Sequence, residues 1–493
     1  LFDEIPAHLQ ATSLKGVPSG MSELKMIQEL TSRASRDEGF TCFLGAGSYD
    51  HHVPAAVWDL ASRGEFLTAY TPYQAEASQG TLQLIYEYQS MMSTLTAMEF
   101  SNASVYDGAS GLAESVLMAV RANKKNKSRK VLVSGSVNPN YIKAAKTIVG
   151  NQKIKIDVSQ IGQNGLTELA GYFEGGEAPV ALVIQHPNFF GCLEEIDNLT
   201  NLAHANGSMV IAVVNPMTLS VLRPPGEWGE TGADIVCGDG QPFGIPMASG
   251  GPSFGFICCK KEFVRQLPGR IIGRTEDSEG RIGYTLTLQA REQHIRRDKA
   301  TSNICTNQGL LVTAGTIYLS LMGPTGLRAT LEKSYENANL LRTKLSELDG
   351  VEPFFPGSTS LHEFALKLPI ESCVLVQELL EHKILAGVEM APFSLDLPQA
   401  ESGLIIAVTE KPILLKIPTA TEPTPPVAPD TAIGKVSMTP LSKIDLTHAA
   451  DVNPATPYDI ASKSDIAFGR WTTQSAGTQI ILPKPPLTLM PSL

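Results

Sequence analysis

A turn of small residues before a helix is the first candidate for ligand chemistry in this chain. Ala109, Ser110 and Gly111 follow Asp107 and begin an amphipathic helix pattern that runs through Arg121. Free backbone amides at a helix N-terminus, with small side chains that allow close approach, suit a phosphate group. An ordinary helix start with Ser110 near the N-cap explains the same residues and is the commoner case. The turn is therefore a candidate phosphate site that needs support from elsewhere.

A second candidate is the tyrosine loop, which comprises Tyr70, Thr71, Pro72, Tyr73 and Gln74. It places two phenols, a proline and an amide directly before a helix pattern. Pro72 biases the preceding residue toward an extended conformation, so the loop could present its polar groups into a cleft. A turn whose tyrosines pack in the core is the alternative, and both interpretations stay open.

The third feature is a glutamine in a turn where a lysine would be expected. Residues 232–252 have the pattern of a strand, a short turn around Gln241 and a glycine-rich loop at 250–252. In many enzymes that use pyridoxal phosphate, such a turn carries the lysine that forms a Schiff base with the cofactor. That chemistry requires a nucleophilic amine, which the amide of Gln241 cannot supply. The chain has the pattern of a cofactor-enzyme fold without the residue that bears the cofactor.

Two further motifs are better explained without a ligand. Gly45 and Gly47 resemble the start of a dinucleotide-binding fingerprint, but Asp50 stands in place of the third glycine, so a glycine turn is favoured. Asp50, His51 and His52 could ligate a metal, but adjacent side chains diverge and no third ligand has a suitable spacing. We therefore expect no metal site, and a surface or interface role for these residues.

Alternating helix and strand patterns must position these motifs. Helix patterns cover residues 80–98 and 109–121. Five short apolar strands cover 130–134, 180–184, 209–214, 233–236 and 254–257, and helix patterns lie between several of them. Continuous apolar strands separated by helices predict an α/β fold with a mostly parallel sheet that is covered on both faces.

A second, smaller α+β unit follows the alternating region. Leucines and alanines at 327–348 fall on one helical face, and Gly350 provides the stop signal. A strand at 362–368, a helix at 373–381 and a strand at 403–409 complete the unit.

These patterns divide the chain into four segments. We expect an N-terminal helical and loop segment at 1–65, the large α/β domain at 66–309 and the small α+β domain at 310–410. Residues 411–493 contain a proline-rich tract that cannot build a core, so we expect a disordered tail or the product of a shifted reading frame.

Composition narrows the classes of protein. Of the 493 residues, 43% are hydrophobic and 18% are charged, and the formal net charge is -11 at pH 7, so bulk charge does not support binding to nucleic acid. The seven cysteines are scattered without a CxxC pair, which favours reduced thiols and a cytoplasmic location. The apolar runs read as too short to span a bilayer, so we expect no membrane association.

Six motifs, taken together and in order, resemble one family. The chain is similar over residues 1–410 to glycine decarboxylase, the P-protein of the glycine cleavage system, and more narrowly to its N-terminal-half type, which lacks the lysine. The motifs that carry the resemblance lie at 43–49, 70–80, 102–108, 238–244, 250–252 and 287–293.

The resemblance implies a fold-type-I pyridoxal-phosphate-dependent transferase-like large domain with a smaller C-terminal α+β domain. It implies that Gln241 occupies the Schiff-base lysine position, so this chain has no catalytic residue of its own. It also implies that Val213 stands where a catalytic relative carries the aspartate that pairs with the pyridinium nitrogen. Ala109, Ser110 and Gly111 would then form a degenerate phosphate site.

The resemblance also implies partners. Pyridoxal phosphate would be bound by a lysine-bearing subunit 2, in a heterotetramer of two copies of each subunit. That complex would decarboxylate glycine and transfer the aminomethyl group to the lipoyl arm of the H-protein, with the cofactor ring as the electron sink. Residues of the tyrosine loop, Tyr70 to Gln74, would line the shared active site or the subunit interface.

Two other functions stay open on the sequence alone. A stand-alone pyridoxal-phosphate enzyme could use another lysine, for which Lys260 and Lys261 are the candidates after the strand at 254–257. A non-catalytic structural or regulatory partner is the other possibility.

Overall fold

The computed structural model of the protein describes residues 2–10, 16–67, 70–174, 177–304, 306–393, 395–411, 414–416 and 445–447. The chain falls into two compact units, Leu1–Thr41 and Cys42–Leu493. The first unit contains helix α1 (Glu23–Ala34), whose N-cap Ser22 accepts a hydrogen bond from the backbone N–H of Lys25 at 3.4 Å. Apart from Thr41, the elements described below belong to the second unit.

The second unit is built on a seven-stranded sheet. In chain order its strands are β1 (Phe100–Ser101), β2 (Lys130–Val133), β3 (Lys155–Val158), β4 (Ala181–Gln185), β5 (Met209–Val213), β6 (Ile235–Asp239) and β7 (Gly255–Cys259). Their spatial order is β1–β7–β6–β5–β4–β2–β3. Strands β2 to β6 are parallel, and β7 is antiparallel to both of its neighbours. The predicted α/β fold with a mostly parallel sheet is confirmed.

Helices cover both faces of this sheet. Along β5, Val210 and Ala212 belong to one core cluster, while Ile211 and Val213 belong to another. Successive side chains of a strand point to opposite faces, so two clusters on one strand require a cover on each side. The covering helices are α2 (Ala55–Ala61), α3 (Gln79–Thr96), α4 (Gly108–Ala122), α5 (Pro139–Val149) and α6 (Ile196–Ala205).

The short helix α7 (Gln293–Arg296) is followed by one long helix, α8 (Gly309–Ser346), and the chain then enters the four-stranded sheet described below. Helix α8 is long and apolar enough to cross a membrane by length and composition, so the sequence interpretation that no such stretch exists was wrong. The helix is interrupted at Gly323, where φ is 58°, and Pro324 follows. Of its apolar window, 56% is buried, and Val312 and Tyr318 lie in the main core cluster. We assign α8 to the protein core.

A four-stranded antiparallel sheet forms the C-terminal part of the described fold. Its strands are Glu352–Pro353, Glu363–Lys367, Val388–Glu389 and Gly403–Ala407, and helix α9 (Ser372–Glu381) follows the second strand. Glu363–Lys367 pairs with Gly403–Ala407, as the two predicted strands suggest. The domain boundaries that we place at 65, 309 and 410 stay predictions.

The remaining strands are short. Ile271–Glu276 pairs with Ile282–Thr287, Gln160–Ile161 pairs with Thr167–Glu168, and Leu414–Lys416 pairs with Asp445–Thr447. Thr41–Cys42 and Ile384–Leu385 complete the set. Apart from Lys411 and the two strands 414–416 and 445–447, the predicted tail at 411–493 lies outside the described residues.

Candidate functional site

A cleft lies at the carboxyl ends of the central parallel strands, where ligands bind in open α/β sheets. Strands β4, β5 and β6 contribute their ends, the segment 47–49 and α5 contribute one wall, and the small-sheet strand that starts at Glu363 contributes another. The lining residues are Gly47, Tyr49, Asn138, Tyr141, Gln185, Pro187, Gly191, Val213, Val214, Asn215, Asp239, Pro242, Leu361, His362 and Glu363.

Gln241 is a buried clamp beside this cleft. Its side-chain Oε1 accepts a hydrogen bond from the backbone N–H of Tyr49 at 2.8 Å, and its Nε2 donates to the carbonyl of Tyr49 at 2.9 Å. Nε2 also donates to the carbonyl of Ile245 at 2.8 Å. The amide thus pairs with Tyr49 as a backbone strand would, and it holds the turn against the segment 47–49. A lysine could replace the donors here, but it has no acceptor for the Tyr49 N–H.

Asp239, two residues before Gln241, occupies the N-terminus of α4. Its carboxylate accepts hydrogen bonds from the backbone N–H of Gly108 at 3.0 Å and of Gln241 at 2.9 Å, and from the hydroxyl of Ser253. Burial raises the pKa of the Asp239 carboxyl, and these three hydrogen bonds oppose that rise. The helix N-terminus therefore already holds an acidic group from the same chain.

Two of the three candidate phosphate residues, Ser110 and Gly111, use their backbone amides within the helix cap. The N–H of Ser110 donates to the Asp107 carboxylate at 2.7 Å, and the N–H of Asp107 donates to the Ser110 hydroxyl at 3.1 Å. This is a capping box. The N–H of Gly111 donates to the carbonyl of Asp107 at 2.9 Å. Ala109 lies between Asp107 and Ser110. The arrangement is that of an ordinary helix start with a capped N-terminus.

The end of strand β5 brings apolar and amide groups to the cleft. Val213, proposed as the counterpart of the catalytic aspartate, is 3% exposed and lines the cleft. Asn215 also lines it, and its Oδ1 accepts the N–H of Met217 at 3.0 Å. Its Nδ2 is buried without a hydrogen-bond partner in the part of the chain that the structure describes. The roles that we assign to Val213 and Gln241 stay predictions.

Glu363 is a buried carboxyl in the wall of the cleft that sequence reasoning missed. It accepts hydrogen bonds from the N–H of Ala46 at 2.6 Å and from the hydroxyl of Tyr49 at 2.9 Å. Burial raises its pKa to about 7, against the opposing effect of these two bonds. A Cβ on Gly45 would lie 2.1 Å from Glu363 Oε1, so the glycine permits this close approach. The glycine turn at 45–47 therefore binds a carboxyl of its own chain.

Three histidines lie near the cleft wall, and two of them bind a second carboxyl, that of Glu410. His51 Nδ1 is 2.7 Å from Glu410 Oε2, and the N–H of His52 donates to Glu410 Oε1 at 2.6 Å. Burial acts to raise the pKa of Glu410, but the bonds from His51 and His52 outweigh it and lower the value. His362 is fully enclosed, and burial lowers its pKa to about 3. The Asp50–His52 segment thus binds Glu410 within the chain, and the surface or interface role expected for it stays a prediction.

The tyrosine loop lies apart from this cleft: within the described residues, the cleft lining includes none of Tyr70 to Gln74. Tyr70 is 86% exposed and Tyr73 is 57% exposed, while Pro72 is buried. The hydroxyl of Tyr73 lies 3.4 Å from Nη2 of Arg270. The structure thus brings the loop to a buried arginine, and the two phenol rings reach the surface.

The sequence and the fold of this chain are similar to those of known proteins. One protein-family sequence model, described as Glycine cleavage system P-protein, matches residues 1–411. The chain belongs to this P-protein family. A relative from Alcanivorax borkumensis, named "Probable glycine dehydrogenase (decarboxylating) subunit 1", is 58% identical over 396 residues, which cover 79% of this chain and 87% of the relative. The family resemblance drawn from the motifs is confirmed.

Solved structures support the P-protein fold. A crystal structure of glycine decarboxylase (P-protein) of the glycine cleavage system, in inhibitor-bound form, matches with a TM-score of 0.75 and 43% identity, over 83% of this chain and 90% of that chain. Glutamate decarboxylase from Lactobacillus brevis matches with a TM-score of 0.59 at 12% identity, over 82% and 91% of the two chains, which indicates a shared fold alone. The fold is that of the fold-type-I pyridoxal-phosphate-dependent enzymes, as predicted.

The residues of this P-protein cleft do not fit the cofactor of that fold. The side chain of Gln241 is an amide and not an amine, and it is engaged with Tyr49 and Ile245. A phosphate at the α4 N-terminus would compete with the Asp239 carboxyl, which already accepts the backbone N–H of Gly108 there. The cleft end of β5 presents the apolar side chain of Val213, which cannot pair with a pyridinium nitrogen as a carboxylate would. We assign no reaction step to this cleft.

Proposed function

We propose that the protein is subunit 1 of a glycine dehydrogenase (decarboxylating). It works in the cytoplasm with a lysine-bearing subunit 2, in a heterotetramer of two copies of each. Pyridoxal phosphate is held by subunit 2 and supplies the electron sink for loss of carbon dioxide from glycine. The complex transfers the remaining aminomethyl group to the lipoyl arm of the H-protein.

The hydrogen bonding of Gln241 is the observation that carries this proposal. All three bonds of its amide are made within the chain, so position 241 acts as a structural clamp. A chain of this fold that uses the lysine position for structure has to obtain the amine from another chain. The subunit-1 name of a relative at 58% identity supports the same division of labour.

Within the complex, this chain supplies residues in trans to the subunit-2 site. The tyrosine loop is the best candidate, because the phenols of Tyr70 and Tyr73 are exposed while Pro72 anchors the loop below them. Exposed aromatic side chains with a polar tip are enriched where protein surfaces meet. Tyr70, Thr71, Pro72, Tyr73 and Gln74 therefore line the shared active site or the interface with subunit 2.

The stand-alone enzyme is disfavoured by the place of its candidate lysines. Cys259, which precedes Lys260, pairs with Ile235 at the start of β6, so Lys260 lies at the amino end of the parallel strands. The cleft lies at their carboxyl ends, on the opposite edge of the sheet. Lys260 Nζ also contacts Asp234 Oδ1 at 2.6 Å. Its amine is thus engaged in an ion pair away from the cleft.

Reconstitution tests the proposal directly. The full chain and its lysine-bearing paralogue are purified separately and mixed, and glycine-dependent exchange of labelled bicarbonate is measured with the H-protein. We expect exchange from the mixture and a co-migrating complex, with little exchange from either chain alone. Full activity of the paralogue by itself, or a mixture that neither associates nor exchanges, would reject the assignment.

The tyrosine loop is tested by substitution. Tyr73→Ala should lower the exchange rate of the assembled enzyme without dissociating it, because the hydroxyl and the ring of Tyr73 contact the buried Arg270 while more than half of the residue is exposed. Tyr335→Ala, which removes a tyrosine of similar partial exposure on α8, is the matched control. Equal exchange rates for the two variants would remove the loop from the shared site.

A further inference from the structure

Arg270 is a buried cation whose donors lack close partners. Arg270 is 3% exposed, and its backbone carbonyl accepts a hydrogen bond from the N–H of Ala103 at 2.8 Å. Nη1 lies 3.4 Å from Oδ1 of Asn307, and Nη2 lies 3.4 Å from the hydroxyl of Tyr73. Hydrogen bonds from a guanidinium to an anion are normally about 2.7–2.9 Å long, so these contacts are loose.

The neighbouring polar atoms are equally unsatisfied. Among the residues that the structure describes, Arg270 Nε, Asn307 Nδ2, Thr71 Oγ1 and Glu292 Oε1 are buried without a hydrogen-bond partner. Buried polar atoms are nearly always paired in native proteins. Of these four atoms, Asn307 Nδ2 belongs to the amide that contacts Nη1 of Arg270, and as a donor it can bind an anion there. Thr71 and Tyr73 belong to the tyrosine loop, which connects this cluster to the exposed surface.

The two sides of the guanidinium face different chemistry. On the Nε side, Glu292 Oε2 lies 3.9 Å away, an ion pair without a hydrogen bond. The Nη edge faces Asn307 and the Tyr73 hydroxyl, which can both donate, and the guanidinium carbon lies over the Tyr73 ring at 5.4 Å from the ring centroid. A planar fork of two Nη groups flanked by an amide and a phenol matches the oxygens of a carboxylate or a phosphate.

We propose that the Nη edge of Arg270, with Asn307 and Tyr73, binds an oxyanion. This inference rests on the proposed function for the origin of that oxyanion, since in the assembled enzyme it belongs to a molecule bound by subunit 2. Two sources share this chemistry, namely the carboxylate of glycine and the phosphate of the cofactor. Arg270 is then a binding residue that this chain contributes to the site of its partner.

The test compares four enzymes, each assembled with subunit 2: the wild-type chain, the variants Arg270→Gln and Arg270→Lys, and the control variant Arg274→Gln. Arg274 is an exposed arginine on the strand that follows Arg270. Three quantities are measured: the KM for glycine, the Kd for pyridoxal phosphate by absorbance of the dialysed complex, and the mass of the complex by ultracentrifugation.

We expect Arg270→Gln to raise one of the two constants about tenfold or more, as loss of a charge-assisted hydrogen bond predicts. A raised KM for glycine identifies the carboxylate as the source, and a raised Kd for pyridoxal phosphate identifies the phosphate. Arg270→Lys should recover part of the loss, because it keeps the charge but not the planar fork. Weakened assembly with both constants unchanged would mean that the guanidinium binds a side chain of the partner, and would overturn the proposal.

A second arm does not depend on assembly. Inorganic phosphate should raise the unfolding temperature of the isolated wild-type and Arg274→Gln chains above that in sodium chloride of equal ionic strength, and Arg270→Gln should lose this response. If the wild-type chain fails to reconstitute exchange, the proposed function fails, and this arm alone decides on the anion site. The inference is refuted if Arg270→Gln and Arg274→Gln show the same rise in unfolding temperature with phosphate, the same KM for glycine and the same Kd for pyridoxal phosphate.

Discussion

Replacing Gln241 by lysine should destabilise this protein without creating a cofactor site. The side chain at position 241 is 4% exposed, and its Oε1 is the acceptor for the Tyr49 N–H. Lysine has no acceptor, so that buried N–H is left unpaired at a cost of about 1–3 kcal/mol. An ammonium held in the same place adds a desolvation penalty that its bonds to the carbonyls of Tyr49 and Ile245 offset only in part. We expect a total loss of roughly 3–5 kcal/mol in the free energy of unfolding.

Urea denaturation measures this loss, and Gln163→Lys at an exposed position controls for the added charge. Incubation with pyridoxal phosphate and borohydride then reports whether the new amine reacts. Because Asp239 occupies the α4 N-terminus and the cleft end of β5 carries the apolar Val213, we expect no stoichiometric labelling at position 241. A Gln241→Lys chain that is as stable as wild type and binds one cofactor per chain would refute both the clamp and the misfit with the cofactor.

Two further predictions concern the wall of the cleft. Burial raises the pKa of Glu363 to about 7, so the folded chain keeps a proton that the unfolded chain releases above its ordinary pKa of 4.5. The stability that Glu363 contributes is therefore fully present below pH 4.5 and is lost as the pH rises to about 7. Glu363→Gln should therefore gain roughly 2–3 kcal/mol relative to wild type between about pH 5 and pH 8 in urea unfolding, and a difference independent of pH would contradict the buried proton. Gly45→Ala should cost about 1–3 kcal/mol, because its Cβ would lie 2.5 Å from Ala407 Cβ, whereas Gly150→Ala, which meets nothing within 4 Å, should leave the unfolding midpoint nearly unchanged. Equal midpoints for these two alanine variants would show that the turn at 45–47 can move away from Glu363.

Local patterns predicted the elements well where periodicity was strong. The helix pattern at 109–121 corresponds to α4, and the apolar strand at 209–214 corresponds to β5. The pattern captured only part of α8: the predicted helical face covers 327–348, whereas the helix begins at Gly309 and is interrupted at Gly323. Periodicity reports which face of a segment is buried, and a kink changes that face partway along.

The candidate sites were harder to predict, because their partners are distant in sequence. Glu363 was not selected, although it binds Ala46 and Tyr49, more than 300 positions away along the chain. Asp239 could have been noticed from its place two residues before Gln241, but its bond to Gly108 requires the sheet to bring β6 beside α4. A residue type states what a side chain can donate or accept, and only packing states what it meets.

The sequence by itself determined that no amine stands at position 241, and the family motifs follow from the same local residues. Tertiary structure decided where the amide of Gln241 goes, that Asp239 reaches the α4 N-terminus, and that Arg270 lies behind a tyrosine 197 positions away along the chain. The physical reason is that the chemistry of a side chain is local, whereas its partners are set by long-range packing of the sheet and the helices. From the sequence, Gln241 shows only that its turn lacks an amine. In the fold, its amide forms three hydrogen bonds that clamp the turn against Tyr49.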